Sequence, residues 1–485
     1  MSSSLPDPVT FCPEDVDPRP KKRARQTGVL PSPPANLLGD RNAASSQFLE
    51  QSVPLILKEL ADDQAVHDLI SPLKNSILQK AKVATATFHM GEAFELDPLL
   101  QNMKELLVLV ADPKETRRNR ITDLCSSVVA NIALKYFLDH GTLVSNATLG
   151  TEYGLTFSDS EYLLGVISFA RELERYSVGR ATLADVRSVM ICKQLVGDLL
   201  GLLMGFDFRN GPIRRQYDGV KYAAKRMENI LYELSLGKEN REKDGVAEES
   251  YDFSDLDFVD KGEFAAMQSR MSSYDALRED VIKKSRDIQK LSKNSVYSLH
   301  RGGKNMAQAR TQLDQAKDKA IEIATNYLEK EPTLRSGTYA NALEEWAEGR
   351  LYEYWLTQRG ALMSLADMRK EVYVTVDEYV GGLGDFTGEV GRWAVAAATK
   401  RDIDGVTKAM SAVMEVTTMV LQIGEGGNVP GRLAKKVGAL RTNLSKLEHL
   451  RYELALVKGS NRKTFSVSAP TASTANAGID DENDE

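Results

Sequence analysis

The sequence predicts an all-α protein made of two tandem helical bundles with about seven helices each. Three observations support this fold class. Apolar residues recur at helical spacing over two long stretches. Alternating strand patterns with Asn-Gly or Asp-Gly hairpin turns are nearly absent. Part of the first stretch is repeated in the second. With 485 residues, of which 42% are hydrophobic, the chain is long enough for roughly two to four domains.

The first 43 residues lack a sustained apolar period and are rich in Pro, Ser and Asp. Such a composition is typical of a disordered tail. The tail contains one basic cluster, Lys21-Lys22-Arg23-Ala24-Arg25. An exposed Lys/Arg run of this kind indicates nuclear import, with a nucleic-acid contact or a merely solubilising run as alternatives. We therefore expect the protein in both cytoplasm and nucleus.

The two predicted bundles occupy residues 44–238 and 264–458, and an acidic linker at 239–263 separates them. The linker has ten acidic and three basic residues, a difference that equals the net charge of −7 for the whole chain. Segment 264–458 has 29 basic and 25 acidic residues. Residues 459–485 form a second predicted disordered tail, rich in Ser, Thr and Ala with acids at its end. The overall acidic charge therefore does not exclude a polyanionic partner.

Other classes of site and partner receive no support from the sequence. No run approaches the ~18 apolar residues that span a bilayer, so we expect a soluble, intracellular protein without a membrane partner. Three widely separated cysteines predict neither disulfides nor a zinc site. The histidines follow no ligand motif and are expected to be structural; they are His67, His89, His140, His300 and His449.

An internal repeat is the most informative feature of the chain. The segment that starts Glu161-Tyr162 aligns with the one that starts Glu378-Tyr379, at a constant offset of 217 residues. The two stretches also end alike, with Tyr232-Glu233-Leu234 matching Tyr452-Glu453-Leu454. Two copies of one helical domain are therefore fused in this chain.

Four acidic residues of the second copy are spaced to share one site. Glu345 and Glu348 lie at i, i+3 on one predicted helix, and Asp385 and Glu389 at i, i+4 on a later one. The later helix also contains Gly381, Gly382, Gly384 and Gly388. Each interior glycine costs a helix about 1 kcal/mol relative to alanine, so we expect another backbone or a ligand to come close. If the two helices face each other, the four acids would form an oxygen cage suited to Mg²⁺ or Mn²⁺.

The alternative is that these acids are ordinary solvated helix charges and that the glycines serve packing alone. The first copy weighs against it. Ser168 replaces Asp385 there, Glu172 is kept opposite Glu389, and Ser127 and Ala130 stand opposite the two glutamates. The first copy thus keeps the surrounding scaffold residues but lacks three of the four acids. This indicates that the second copy contains a possible active site and that the first copy does not.

These motifs resemble the translin family. The first copy, with an EYLLG motif at 161–165 and IRRQYDGVKYAAKRMENILYELSL at 213–236, resembles translin itself. The second, with SRDIQKLSKNSVYSLHR at 285–301 and VDEYVGGLGDFTGEVGR at 376–392, is similar to the translin-associated factor X. The resemblance covers about 45–237 and 264–458. In this family the two subunits are normally separate chains.

The resemblance implies a bundle of about seven helices and assembly into a hollow, roughly octameric barrel, the component 3 promoter of RISC. It implies Mg²⁺-dependent endoribonuclease activity on single-stranded RNA or nicked duplexes. The family's catalytic carboxylates correspond to Glu345, Glu348, Asp385 and Glu389, which would also hold the metal. A fused chain would build the barrel from about four copies.

Nucleic-acid contacts are expected from two clusters of basic residues, because phosphate binding requires such clusters. They are Lys114, Arg117, Arg118 and Arg120 in the first copy and Lys283, Lys284, Arg286 and Lys290 in the second. No RRM, KH or zinc-knuckle signature is present, which favours sequence-independent binding of single-stranded RNA or DNA. Two alternatives remain open: a non-catalytic barrel that binds single strands, and a helical scaffold for protein partners.

Overall fold

A computed structural model describes residues 41–111, 121–209, 211–239, 256–425 and 431–460. Every regular element in these ranges is helical, which confirms the predicted all-α class. None of the helices described has an apolar stretch long enough to cross a membrane. The predicted tails, apart from their edges at 41–43 and 459–460, lie outside these ranges, as do the basic cluster at 21–25 and most of the acidic linker. The described residues from 45 onward belong to one compact unit, which contains both helical halves apart from the first four residues of the first helix.

In the described part of the first half, the chain forms seven helices. They are α1 (Arg41–Met90), α2 (Asp97–Leu109), α3 (Thr122–His140), α4 (Asn146–Thr151), α5 (Asp159–Thr182), α6 (Val186–Leu203) and α7 (Pro212–Glu239).

Seven more follow in the second half, in the same order of long and short elements. They are α8 (Lys261–Arg301), α9 (Asn305–Ile323), α10 (Thr338–Thr357), α11 (Leu365–Glu371), α12 (Val376–Thr399), α13 (Ile403–Glu425) and α14 (Gly431–Ser460). A π-helical turn (Ala324–Leu328) and a 3₁₀ turn (Pro332–Arg335) lie between α9 and α10.

The same side-chain devices begin equivalent helices in the two halves. A capping box of Ser158 and Glu161 starts α5, and the aligned Thr375 and Glu378 start α12 in the same way. In each box the hydroxyl accepts a bond from the N3 backbone amide while the glutamate accepts one from the N-cap amide. Because both boxes lie at the offset of 217, the repeat predicted from the sequence is a repeat of structure.

Two hydrophobic cores form, and each contains a segment from the opposite half. The first core, built mainly from 70–227, also includes Phe258, Val259, Phe264 and Met267. The second core, built mainly from 281–447, also includes Phe48, Val53 and Ile56. Helix α1 has 50 residues, which at about 1.5 Å per residue gives about 75 Å, enough to contact both cores.

Specific contacts hold the exchanged segments in place. The ring of Phe264 lies 6.3 Å from that of Tyr162 on α5, and Arg270 donates two hydrogen bonds of 2.8 Å to Asp159. In the second half, Arg369 donates hydrogen bonds to Glu59 through Nη1 and Nη2. The halves are therefore intertwined through α1 and α8, an arrangement that the repeat did not predict.

Candidate carboxylate site

The candidate site lies where α10 and α12 cross at close range. A Cβ atom on Gly382 would lie 2.8 Å from both the Cβ of Ala347 and the backbone oxygen of Glu344, so this approach requires glycine. Gly165 holds the aligned position in the first half, where a Cβ would overlap the side chain of Val129. The close approach predicted from the glycines is confirmed at this crossing.

The other three glycines singled out in the sequence of α12 have different surroundings. A Cβ on Gly381 would lie 2.5 Å from Oε1 of Glu344, and one on Gly384 would lie 2.7 Å from Cδ of Lys436. At Gly388 a Cβ would meet nothing within 4 Å. No neighbouring helix among the described residues is close to Gly388, so at this glycine the approach of a ligand stays a prediction.

The four predicted acids come together around Glu348. All four are half-buried. The pKa of Glu348 is raised to about 8, first by burial and then by the negative charges of Asp385, Glu345 and Glu389. Since these three charges act on one carboxyl group, α10 and α12 bring the four acids into a single electrostatic cluster.

Three of the four acids are held by basic partners. Nζ of Lys293 lies 3.1 Å from Glu345. Nζ of Lys436, on α14, lies 2.6 Å from Oδ2 of Asp385. His300, at the end of α8, binds Glu389 through Nε2. The two lysines offset the charges of Glu345 and Asp385, and Glu348 forms no ion pair in the part of the chain described.

His300 connects Glu389 to the core of the second half. Its Nε2 bonds to Glu389, while its Nδ1 lies 3.1 Å from the hydroxyl of Tyr352, a buried residue of α10. The hydrogen bond from His300 is the largest cause of the lowered pKa of Glu389. Glu389 is thus kept ionised and fixed in orientation.

Within the described ranges, no group of three or more His, Cys, Asp or Glu side chains is arranged to hold a metal ion as it stands. The partners of the acids give the physical reason, because Asp385, Glu345 and Glu389 are each turned towards a basic group. The donor chemistry nevertheless suits a hard divalent cation, since every candidate donor is a carboxylate oxygen.

The first half keeps one part of this arrangement and lacks the rest. His89 binds Glu172 at 2.5 Å, in the place of the pair between His300 and Glu389. Where Glu344 and Asp385 would stand, the hydroxyls of Ser126 and Ser168 lie 3.3 Å apart. The first half therefore has the His–Glu pair on an otherwise uncharged scaffold.

Three residues of the site were missed by the sequence reasoning: Glu344, His300 and Lys436. The repeat contained a signal for all three. Each copy contains one histidine of this pair, His89 or His300, whereas Ser126 and Gln216 stand where the second copy has Glu344 and Lys436. The signal was weak because the partners lie far apart along the chain and only the helix packing brings them together.

The predicted basic residues of the second half lie along α8. Lys283, Arg286 and Lys290 are exposed and form no ion pair within the part of the chain described. Their spacing continues to Lys293, which contacts Glu345, so one basic face of α8 leads to the acids. Lys284 differs, because its Nζ binds Glu322 at 2.5 Å. The predicted cluster Lys114, Arg117, Arg118 and Arg120 lies outside the described residues.

Fold and site together define a protein of two seven-helix bundles, one of which contains a cluster of acidic side chains. The sequence profile of the Translin family matches residues 71–238 and 276–458. The chain therefore belongs to the translin family, and both halves are members of it.

Individual relatives match one part of the chain each. Translin of Gallus gallus is 31% identical over 96 residues, which cover 20% of this chain and 42% of that protein. The translin-associated protein X homolog of Schizosaccharomyces pombe is 24% identical over 209 residues, which cover 41% of this chain and 90% of that protein. The chain spans about two fifths of the length of the translins it matches.

Solved structures named C3PO also resemble part of the chain. A complex of AfC3PO with duplex RNA aligns with a TM-score of 0.35 and 16% identity, covering 40% of this chain and 98% of that one. Apo-NeC3PO aligns with a TM-score of 0.34 and 20% identity, covering 39% and 96%.

Proposed function

We propose that this protein is a divalent-metal-dependent endoribonuclease of the translin and translin-associated factor X type. The second half would contain the active site, and the first half would be a catalytically silent partner. The observation that supports this best is the cluster around Glu348, whose pKa of about 8 reflects burial among three other carboxylates. Four carboxyl groups crowded into one half-buried cluster favour a bound cation, which would offset the mutual repulsion of their ionised forms.

Mg²⁺ is the cation we propose, with Mn²⁺ as a substitute. Glu345, Glu348, Asp385 and Glu389 would hold it, because all four donate the hard oxygen atoms that these ions prefer. When bound, the cation would lower the pKa of a water molecule and offset the charge that develops at a phosphodiester. Cleavage by water leaves the ribose 2′-hydroxyl uninvolved, so we expect products with a 5′-phosphate and a 3′-hydroxyl.

The chain's own residues would orient the acids for this reaction. His300 holds Glu389 by a hydrogen bond and is itself aligned by Tyr352. The open space beside Gly388 would let a nucleic-acid backbone approach α12 next to Glu389. The exposed bases of α8, Lys283, Arg286 and Lys290, would neutralise phosphates of a single strand on its way to the acids.

Self-association into a hollow barrel belongs to the same proposal. A fused chain supplies both kinds of subunit, so about four copies would close a ring of eight bundles. Single-stranded RNA is the proposed substrate, and single-stranded DNA a ligand without cleavage. RNA processing or removal of the passenger strand from small RNAs would be the biological role.

The repeat provides a matched pair of variants for the test. Glu389→Gln removes a proposed metal ligand, whereas Glu172→Gln makes the same change at the aligned, silent site. Both glutamates bind a histidine, so each variant changes the same kind of His–Glu contact. We expect E389Q to lose cleavage of a fluorescent single-stranded RNA in Mg²⁺ by at least about 100-fold and E172Q to retain it.

Equal activity in the two variants would contradict the proposed site. Binding of the RNA, measured by fluorescence anisotropy with EDTA present, should be unchanged in both. If the wild-type chain binds RNA but cleaves none in Mg²⁺ or Mn²⁺, the non-catalytic single-strand-binding barrel is the correct function. If it binds no nucleic acid at low ionic strength, the protein scaffold is correct.

A further inference from the structure

Lys436 places an ammonium group inside the acidic cluster of the second half. Its Nζ lies 2.6 Å from Oδ2 of Asp385, 2.7 Å from Oε1 of Glu344 and 2.9 Å from the carbonyl oxygen of Gly381. The side chain is 24% exposed. Three oxygen acceptors at these distances satisfy all three N–H groups of a lysine ammonium, so Lys436 is fully coordinated by α10 and α12.

Two glycines of α12 make this position possible. Gly381 supplies the carbonyl acceptor. At Gly384 a Cβ would lie 2.7 Å from Cδ of Lys436, which is too close for the lysine stem to keep its place. The stem of Lys436 therefore crosses α12 at a position where the helix has no side chain.

The first half lacks every part of this arrangement. Gln216 aligns with Lys436 and Ile167 with Gly384. Ser126 and Ser168, aligned with Glu344 and Asp385, are hydrogen-bonded to each other at 3.3 Å. The lysine, its two acidic acceptors and the glycine that accommodates its stem are present together in one half and absent together from the other, which indicates that they act as one unit.

We propose that Lys436 is an internal counter-ion that competes with the divalent cation for the acidic cluster and must leave Asp385 before the cation binds. This inference rests on the proposed function, since it concerns the same four acids. An ammonium and a divalent cation repel each other, and the Asp385 oxygen that accepts the lysine bond is a candidate metal donor. The displaced Lys436 then leaves Asp385 free to join Glu345, Glu348 and Glu389.

Binding of Mn²⁺ alone to the full-length chain, followed by the EPR signal of free Mn²⁺ without nucleic acid, tests this competition. Lys436→Gln introduces the residue of the first half and removes the competing charge. We expect K436Q to bind Mn²⁺ about tenfold more tightly than wild type, corresponding to the loss of one charge-assisted hydrogen bond.

The substitution Gly384→Ala tests the displacement of Lys436 without removing its charge. The new Cβ would push the stem of Lys436 away from the cluster without altering any charged group, so we expect G384A to tighten Mn²⁺ binding as well. Arg392→Gln is the matched control for charge. Arg392 is 68% exposed and lies 3.8 Å from Glu389, and its loss should change the affinity by less than about twofold, because exposed pairs are screened.

The wild-type chain offers an independent readout. An amine-reactive reagent followed by mass spectrometry should label Lys436 more strongly when Mn²⁺ is present, while the exposed Lys290 should be labelled equally with and without the metal. Unchanged labelling of Lys436 under saturating Mn²⁺ would overturn the proposal, whatever the variants do.

The outcomes distinguish this proposal from the proposed function. Asp385→Asn should abolish Mn²⁺ binding. If it does, and K436Q binds Mn²⁺ no more tightly than wild type, the metal site stands and the role of Lys436 is wrong. If neither wild type nor K436Q binds Mn²⁺, both proposals are wrong.

Discussion

At the scale of single residues, Glu348 differs from the other three acids of the site. Asp385, Glu345 and Glu389 each contact a basic side chain. The pKa of Glu348 is instead raised to about 8, because burial and three neighbouring carboxylates outweigh the opposing charge of Lys436. A carboxyl group with this pKa is mostly protonated at neutral pH. The resting site therefore limits its charge by lysine ion pairs at Asp385 and Glu345 and by a proton at Glu348, while Glu389 is held by a hydrogen bond to His300.

This proton makes the stability of the protein depend on pH. The pKa of Glu348 rises from 4.5 in the unfolded chain to about 8 in the folded one, so the folded state binds the proton more tightly. The stability that this proton contributes is lost as the pH rises from about 4.5 to about 8, because Glu348 must then ionise inside the folded protein. The substitution Glu348→Gln removes the titrating carboxyl group and with it this pH-dependent loss of stability.

We expect E348Q to melt at a higher temperature than wild type at about pH 8.5 and to gain much less at about pH 5. A shift of one pKa unit corresponds to about 1.4 kcal/mol, and the advantage at high pH should be at least that large. Glu329→Gln, at an exposed site, serves as the control and should show no such trend. A pH-independent difference between E348Q and wild type would show that Glu348 is ionised in the folded state.

The sequence predicted the four acids but not their partners. Spacing on each helix and the loss of three acids from the first copy were sufficient to select Glu345, Glu348, Asp385 and Glu389. Lys436 lies 51 residues from Asp385 in the chain, and no local pattern connects them. Periodicity assigns a residue to a face of its helix, whereas the partner of that face depends on tertiary packing.

At the scale of helices, the crossing of α10 and α12 fixes the geometry of the site. Gly382 permits the backbone contact, while Gly388, six residues further along the same helix, has no neighbour. The two glycines have similar intrinsic costs to the helix but opposite surroundings, so alanine should have opposite effects at the two positions.

We expect Gly382→Ala to destabilise the protein by about 1–3 kcal/mol, because its Cβ would overlap Ala347 and the backbone of α10. Gly388→Ala should stabilise it by about 0.5–1 kcal/mol, since alanine replaces glycine in an open helix position. Urea denaturation of the two variants measures both effects. Destabilisation by G388A would mean that another part of the molecule occupies that space.

Helix α8 connects the proposed RNA path to the acids through its row of exposed bases. Replacing Lys283, Arg286 and Lys290 together by Gln should weaken binding of single-stranded RNA and lower the slope of log K against log salt by about 2, given about 0.7 per phosphate contact. Lys284→Gln is the control, because Lys284 is paired with Glu322. An unchanged slope in the triple variant would exclude this face of α8.

At the scale of the whole molecule, the two halves are not independent bundles joined by a linker. Each core includes a segment of the other half, and the ion pair between Arg369 and Glu59 reaches across the chain. The repeat predicted two copies of one bundle but could not predict the exchange. The sequence pattern identifies an apolar face at 48–56 but does not tell which of the two copies this face packs against.

The exchange predicts that neither half folds stably alone. A fragment 41–239 lacks Phe264 and its neighbours, and a fragment 256–460 lacks Phe48, Val53 and Ile56. Loss of a buried phenylalanine alone costs about 3–5 kcal/mol. We expect each fragment to show a weak or absent thermal transition by circular dichroism and the mixed fragments to recover it. Cooperative unfolding of either fragment alone would contradict the exchanged packing.

The central claim is that the second half holds one divalent cation among four carboxylates after Lys436 withdraws. Anomalous diffraction from crystals of the full chain grown with Mn²⁺ tests it most directly. The account predicts one Mn²⁺ with oxygens of Glu345, Glu348, Asp385 and Glu389 at about 2.1 Å, Nζ of Lys436 no longer bonded to Asp385, and no ion at the aligned position in the first half. An ion-free cluster in which Lys436 still binds Asp385 would contradict it.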